Sequence, residues 1–265
     1  MSETVLYVYA IASSADPEQL AAESASIDGG SSFETCQVDD LTAVYTQVPA
    51  SDFSQEVIDS HAADMEWLGA IGWRHQTVVD RIASRSAVVP LRAFTMFHSR
   101  ASLEGFLRER SLPVRKLLAR LAGKEEWSVR IDFIAEKWSE ALVERAEILR
   151  NLGSEVAAAS GGRKYLLEKK LADAKKDAAR DAEEEVVAEI EAALASSLDV
   201  PTIVGSRQKQ GGSSPQIDLL VPKASEEALL RIVETIAHKY SPEGISLALS
   251  GPWPPYSFAS EEQIG

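Results

Sequence analysis

The sequence holds a single cysteine, Cys36, in 265 residues. One thiol cannot close an intrachain disulfide, so stability has to come from packed cores, and the composition suits a reducing compartment. Asp39 and Asp40 follow Cys36 closely, the opposite of the electropositive setting that activates a thiol, so Cys36 is expected to be structural. Long apolar runs are missing too. No stretch approaches the roughly 20 apolar residues that cross a bilayer. Met1-Ser2-Glu3-Thr4 has no basic segment of the kind that opens a secretory leader, and the expected location is the cytoplasm. Positive charge is scarce: 27 Lys and Arg against 41 Asp and Glu leave a formal charge of −14. A field of that sign repels phosphate backbones and anionic lipid, so neither nucleic acid nor membrane is an expected partner.

Catalytic and metal-binding motifs are lacking as well. His61, His75, His98 and His238 show no metal-site spacing. His61 and His75 fall on one predicted long helix about four turns apart, too far for a shared ion. The stretch Gly205 to Gly212 contains glycine and lysine without the Gly-Lys-Ser/Thr ending that cradles phosphate, and reads as a mobile loop between two strands. Asp177 and the run Asp181 to Glu185 point around a helix circumference and cannot converge on a cation. No serine sits in Gly-x-Ser-x-Gly. The strand Ile217 to Val221 carries none of the aromatics by which such sheets stack RNA bases. The expectation is a protein without cofactor or metal that is not an enzyme.

What is present is a strong pattern of helices and strands. Val5 to Ile11 is an apolar strand, and Asp16-Pro17 opens a brief helix. Phe33 to Val38 and Leu41 to Val48 make a hairpin turning at Asp39-Asp40. A long helix is predicted from Ser51-Asp52 through Ile82, followed by a strand over Ala87 to Leu91. Helices over 99–110 and 113–121 lead to Gly123. A strand over 127–134 comes next, then a helix over 138–149 capped at Asn151-Leu152-Gly153 and a hinge at Gly161-Gly162. The helix Arg163 to Leu198 carries a narrow apolar stripe through Leu167, Leu171, Ala174, Ala178, Ala182, Val186, Ile190 and Leu194. Strands over 200–204 and 217–221, a helix over 226–240 and a strand over 245–249 complete the pattern. The order is β-α-β-β-α-β twice, which predicts an α+β fold of two domains, each with a ferredoxin-like arrangement, plus linking helices. The expected domains are residues 1–122 and 123–265.

The segment Gly251-Pro252-Trp253-Pro254-Pro255-Tyr256-Ser257-Phe258 packs three aromatics and three prolines into eight residues. Proline fixes φ and removes a donor, so the segment must be extended, and its stiffness lowers the entropy lost on docking. It is expected to clamp onto the second domain.

That terminus resembles the closing motif of the gas vesicle F/L family (GvpL/GvpF). Other segments are similar in the family's order: Leu6-Tyr7-Val8-Tyr9-Ala10, His61 and His75, Val89-Pro90-Leu91-Arg92, Leu121 to Val129, and Gly162-Arg163-Lys164-Tyr165-Leu166. One departure stands out. After Pro-Leu-Arg the family pattern continues Phe-Gly-Thr, whereas this chain reads Ala93-Phe94-Thr95-Met96-Phe97. Phe94 in place of glycine removes easy access to positive φ, so a different local turn is expected. The resemblance implies a non-enzymatic gas vesicle assembly factor or minor structural component. Such a protein contacts the main shell protein and other gas vesicle accessory proteins. Arg92, Phe94, Phe97, Trp127, Tyr165, Trp253, Tyr256 and Phe258 are the candidate structural or partner-contact residues. The alternatives from the residues themselves are a small-molecule enzyme with an interdomain site and an oligomeric scaffold built on the Arg163–Leu198 helix.

Overall fold

The computed structural model describes residues 3–205 and 214–259, so most of the predicted 205–215 loop lies outside the described residues. The chain forms two compact units. One comprises the residues up to Glu126 together with the segment from Pro252 onward, and the other runs from Trp127 to Gly251.

In the first unit β1 (Thr4–Ala12), β2 (Phe33–Val38), β3 (Leu41–Pro49) and β4 (Val88–Pro90) form a sheet in the order β2-β3-β1-β4, and the short β5 (Met96–Phe97) also pairs with β1. All these pairings are antiparallel. From Leu6 onward β1 is buried on both faces, which is why it reads as an unbroken apolar run rather than an alternation. Asp39 takes a left-handed φ of 54° at the tight turn between β2 and β3. Asp16 caps α1 (Pro17–Glu23) by accepting the Glu18 and Gln19 N–H groups.

The predicted long helix is two helices, α2 (Gln55–Ser60) and α3 (Met65–Ala83). The break is made by Asp64, whose carboxylate accepts the N–H groups of Glu66 and Trp67 at 3.1 and 3.0 Å and so starts a new helix. The inner face of α3, with Ile71, Val78, Val79 and Ile82, packs into a core with Tyr7, Tyr9, Phe33, Val44 and Val48. Two further helices, α4 (Arg100–Glu109) and α5 (Ser111–Leu121), bury Leu103, Leu107, Val114 and Leu118.

The chain enters the second unit along β6 (Lys124–Phe133) and leaves it along β9 (Ile245–Trp253), which are neighbours in a sheet of order β7-β8-β6-β9. Between them lie α6 (Ala135–Arg145), α7 (Glu147–Ala158), α8 (Gly161–Leu198), β7 (Thr202–Gly205), β8 (Gln216–Pro222) and α9 (Glu226–Tyr240). Asn151-Leu152-Gly153 is not a cap: it lies inside α7, where Leu152 is buried. Gly161-Gly162 lies at the break between α7 and α8 and opens α8, with Gly161 at φ +60°.

The predicted stripe on α8 is fully buried only from Ala182 to Leu194; Leu171, Ala174 and Ala178 are half-buried against the same core. That core also takes Trp127, Val129, Ile131, Trp138, Leu229 and Val233. At the turn before β9, the Gly244 carbonyl accepts the Ile134 N–H at 2.8 Å. Gly244 sits at φ +78°, and a Cβ there would collide with the Lys137 side chain and the Trp138 backbone nitrogen. Only glycine satisfies both conditions.

The terminal segment does not clamp onto the second unit as expected. It belongs to the first, where Tyr256 packs against the core of β1 and α3. Glu126 fixes it by accepting both the N–H and the hydroxyl of Ser257, each at 2.8 Å.

Candidate functional site

The most elaborated polar site within a core lies in the first unit, where β1, α3 and the loop after β4 meet. Tyr7 and Tyr9 stand two apart on β1, and each brings a hydroxyl into a buried region, where it must find a partner. The ladder to β3 shifts register between Val8 and Ala10, a bulge that takes Tyr9 out of the pairing. The freed Tyr9 carbonyl accepts the Leu91 N–H at 3.0 Å, while its hydroxyl meets Thr46 Oγ1 at 3.1 Å and accepts the Ile27 N–H at 2.9 Å.

His75, 3% exposed on α3, completes the site. Its Nε2 lies 3.0 Å from the Leu91 carbonyl, which can only accept, so Nε2 carries the proton. Nδ1, 3.0 Å from the Tyr7 oxygen, therefore accepts the Tyr7 hydroxyl, and that oxygen in turn accepts the Phe94 N–H at 3.2 Å. Three hydrogen bonds in series thus tie the Leu91–Phe94 loop to β1 and α3. Burial lowers the His75 pKa to about 4, and it raises the Tyr7 hydroxyl well above its ordinary range and Tyr9 to about 12. With both ring nitrogens engaged and the imidazole neutral, His75 holds the loop in place.

Rings continue this chain outward. Tyr7 meets the edges of Phe94 and His75, and His75 stacks on Tyr9 at 5.7 Å. Phe94 stacks on Trp67 at 5.7 Å and 15°, and Trp67 stacks on half-buried His61. His61, which caps the C-terminus of α2, and His75, on α3, enter this cluster from opposite ends.

Phe94 takes φ +67°, the left-handed conformation that a glycine would adopt without strain. The Arg92 carbonyl closes the turn, accepting from the Thr95 N–H at 3.2 Å and the Thr95 hydroxyl at 2.7 Å. Stacking on Trp67 and the edge contact with Tyr7 hold the Phe94 backbone there against a steric cost of roughly 1–2 kcal/mol. Phe94→Ala and Phe94→Gly should therefore both be less stable than the parent. The glycine variant should be the better of the two by about 1 kcal/mol in urea midpoints. Equal midpoints for the two variants would show that the backbone is not strained.

The structure does not gather the sequence-predicted residues into one place. Arg92 is exposed, and Phe97 packs its ring on Phe106 at 5.3 Å. Trp127 is buried in the second unit's core, and Tyr165 is 69% exposed on α8. Trp253 is 42% exposed. The Tyr256 hydroxyl is buried and finds no hydrogen-bond partner among the described residues. Phe258 is fully buried with the Arg120 guanidinium 6.0 Å over its ring. Tyr7, Tyr9 and Glu126 lie in family-like segments of the sequence but are not among its candidate contact residues. Two tyrosines at alternate positions on a buried strand were the available signal. No cluster of three or more His, Cys, Asp or Glu able to hold a metal occurs among the described residues. No helix there is long and apolar enough to cross a membrane.

Fold and site define a mixed helix-and-sheet protein of two sheet-centred units, whose buried histidine and tyrosines serve to pin a loop. Its residues 5–260 match the family described as gas vesicle synthesis protein GvpL/GvpF, and the chain belongs to that family. Gas vesicle protein L of a Streptomyces species is 24% identical over 99% of this chain and 96% of its own length. Gas vesicle protein L1 of Halobacterium salinarum is 26% identical over 71% of this chain and 69% of its own. Among solved structures, gas vesicle protein GvpF from Anabaena superimposes with a TM-score of 0.73 at 17% identity, covering 97% of this chain and 98% of that one. GvpF from Microcystis aeruginosa gives 0.67 at 15%, covering 97% and 99%. These relatives are named as gas vesicle proteins and not as enzymes.

Proposed function

We propose that this protein is a non-enzymatic assembly factor or minor component of the gas vesicle, acting in the cytoplasm and at the vesicle by binding the small hydrophobic shell protein and other accessory proteins. The family match along residues 5–260 carries this reading. A shell subunit has to turn an apolar face toward gas, so before assembly it exposes surface prone to aggregation. An acidic partner that offers apolar side chains can cover such a surface and stay dissolved. α3 offers them: Met65 is 76% and Trp73 75% exposed, and Gly69 and Gly72 between them leave open space for a close approach. The strand order of both sheets supports a ferredoxin-like reading of each unit.

The test is deletion and complementation in a vesicle-forming host. Loss of the gene should abolish buoyancy, the wild-type copy should restore it, and a Met65→Ser/Trp73→Ser copy should restore it poorly. Co-purification with the shell protein should fall in parallel. Unchanged buoyancy and vesicle number after deletion would overturn the proposal.

A further inference from the structure

We infer that α8 is the contact between two copies of this chain, which pair antiparallel so that the basic half of each helix lies against the acidic half of the other. The helix is 38 residues long, about 57 Å, and its charges are segregated. Arg163, Lys164, Lys169, Lys170, Lys175 and Lys176 face only Glu168 and Asp173 in the first half, although the whole chain is acidic. From Asp177 to Glu191 there are seven carboxylates and one base, Arg180.

This order does not stabilise the helix that carries it. The first turn has no acidic residue and the last no basic one, the reverse of what the helix dipole favours. Asp173, Asp177, Asp181, Glu185 and Glu189 follow at four-residue spacing, which sets like charges side by side. The centres of the two halves are about 20 Å apart, beyond the roughly 8–10 Å over which exposed charges act in physiological salt. One helix therefore cannot neutralise itself. A second one can.

The geometry fits a two-fold contact. Arg163, Lys170, Asp177, Glu184 and Glu191 recur every seven residues along one stripe, and all are exposed except the half-buried Glu191. Glu184 lies about 200° around the helix from Val186, so the stripe points away from the buried face formed by Ala182, Val186, Ile190 and Leu194. A two-fold axis through Asp177 sets Arg163 opposite Glu191 and Lys170 opposite Glu184 of the second copy. It also brings the exposed Leu166 onto Ala188. Two like-charged meetings arise, Asp177 with itself and Asp173 with Asp181, and both are relieved by Arg180, whose guanidinium lies 3.8 Å from Asp177 and 3.3 Å from Asp181 in the same helix. A self-complementary patch is what a two-fold interface requires.

The experiment is size-exclusion chromatography with light scattering on the full chain and two charge-swapped variants. Wild type should be a dimer at low salt and dissociate as salt is raised. Lys169→Glu/Lys170→Glu sets carboxylates opposite Glu185 and Glu184 of the second copy, and Glu184→Lys/Glu185→Lys sets amines opposite Lys170 and Lys169. Each alone should be a monomer, with association weakened by at least roughly tenfold in affinity. Mixed in equal amounts, the two variants should form a heterodimer. All four positions are exposed, and circular dichroism of each variant checks that it folds. A monomeric wild type at low salt, swapped variants that remain dimers, or a mixture that stays monomeric would each overturn the inference.

Discussion

Replacing Phe258 by alanine is expected to destabilise the first unit by about 3–5 kcal/mol, the range for emptying a fully buried phenylalanine site. Phe258 is completely buried although it lies only five residues from the 42% exposed Trp253. A short turn holds it: Tyr256 donates to the Pro254 carbonyl at 2.8 Å, Phe258 to Pro255 at 3.2 Å, and Ala259 to Tyr256 at 3.2 Å. The chain cannot relax into the vacated space without breaking that turn or the Ser257–Glu126 bonds. Hydrogen exchange reads the result by location. Protection should fall in α5, whose Arg120 lies over the ring, and in the turn that holds Phe258, while β8 and α9 keep theirs. A loss confined to β8 and α9 would place the segment with the wrong unit.

The second large effect is acid sensitivity through His75. The unfolded imidazole titrates near 6.5 and the buried one near 4, because burial penalises its charged form. Between those values the unfolded chain binds a proton that the folded chain does not. Stability is therefore flat above about pH 6.5, falls as the pH drops toward 4, and loses roughly 3 kcal/mol across the window. A proton on Nδ1 also removes the acceptor for Tyr7 and with it the series of bonds that reaches Phe94. Asp28, with a pKa lowered to about 2, contributes stability that is lost only below the ordinary carboxylate range. Asp80, whose pKa is raised by burial, acts in the opposite sense near that range. The difference between wild type and His75→Gln in urea midpoints at a series of pH values isolates the histidine. The variant should start lower at neutral pH and lack the slope; a variant with the wild-type slope would assign the acid sensitivity elsewhere.

Much of the fold was legible because its signals are local. Helix α9 runs over the predicted residues, and the turn at Asp39-Asp40 is where the change from one apolar run to the next demanded it. The family and its gas vesicle connection were legible in the Gly251–Phe258 motif and its companions. Other features were hidden for a physical reason. Whether Asp64 is a helical residue or a cap depends on which N–H groups its carboxylate reaches, and an apolar period spanning both helices does not reveal that. The bulge at Tyr9 and the positive φ of Phe94 are imposed by partners 37 and 87 residues away. The bond from Ser257 to Glu126 spans 131 residues, and no local pattern says which of two sheets a stiff aromatic segment will join.

The return of that segment to the first unit has a consequence for biosynthesis. Residues 252–259 are made after the whole of the second unit, yet they complete the core of the first. The nascent chain therefore reverses the usual order in which domains mature from the N-terminus. The second unit holds all its strands and helices before the first has its last buried aromatic. Translation itself thus delays the finished core of the first unit until the ribosome has passed Phe258.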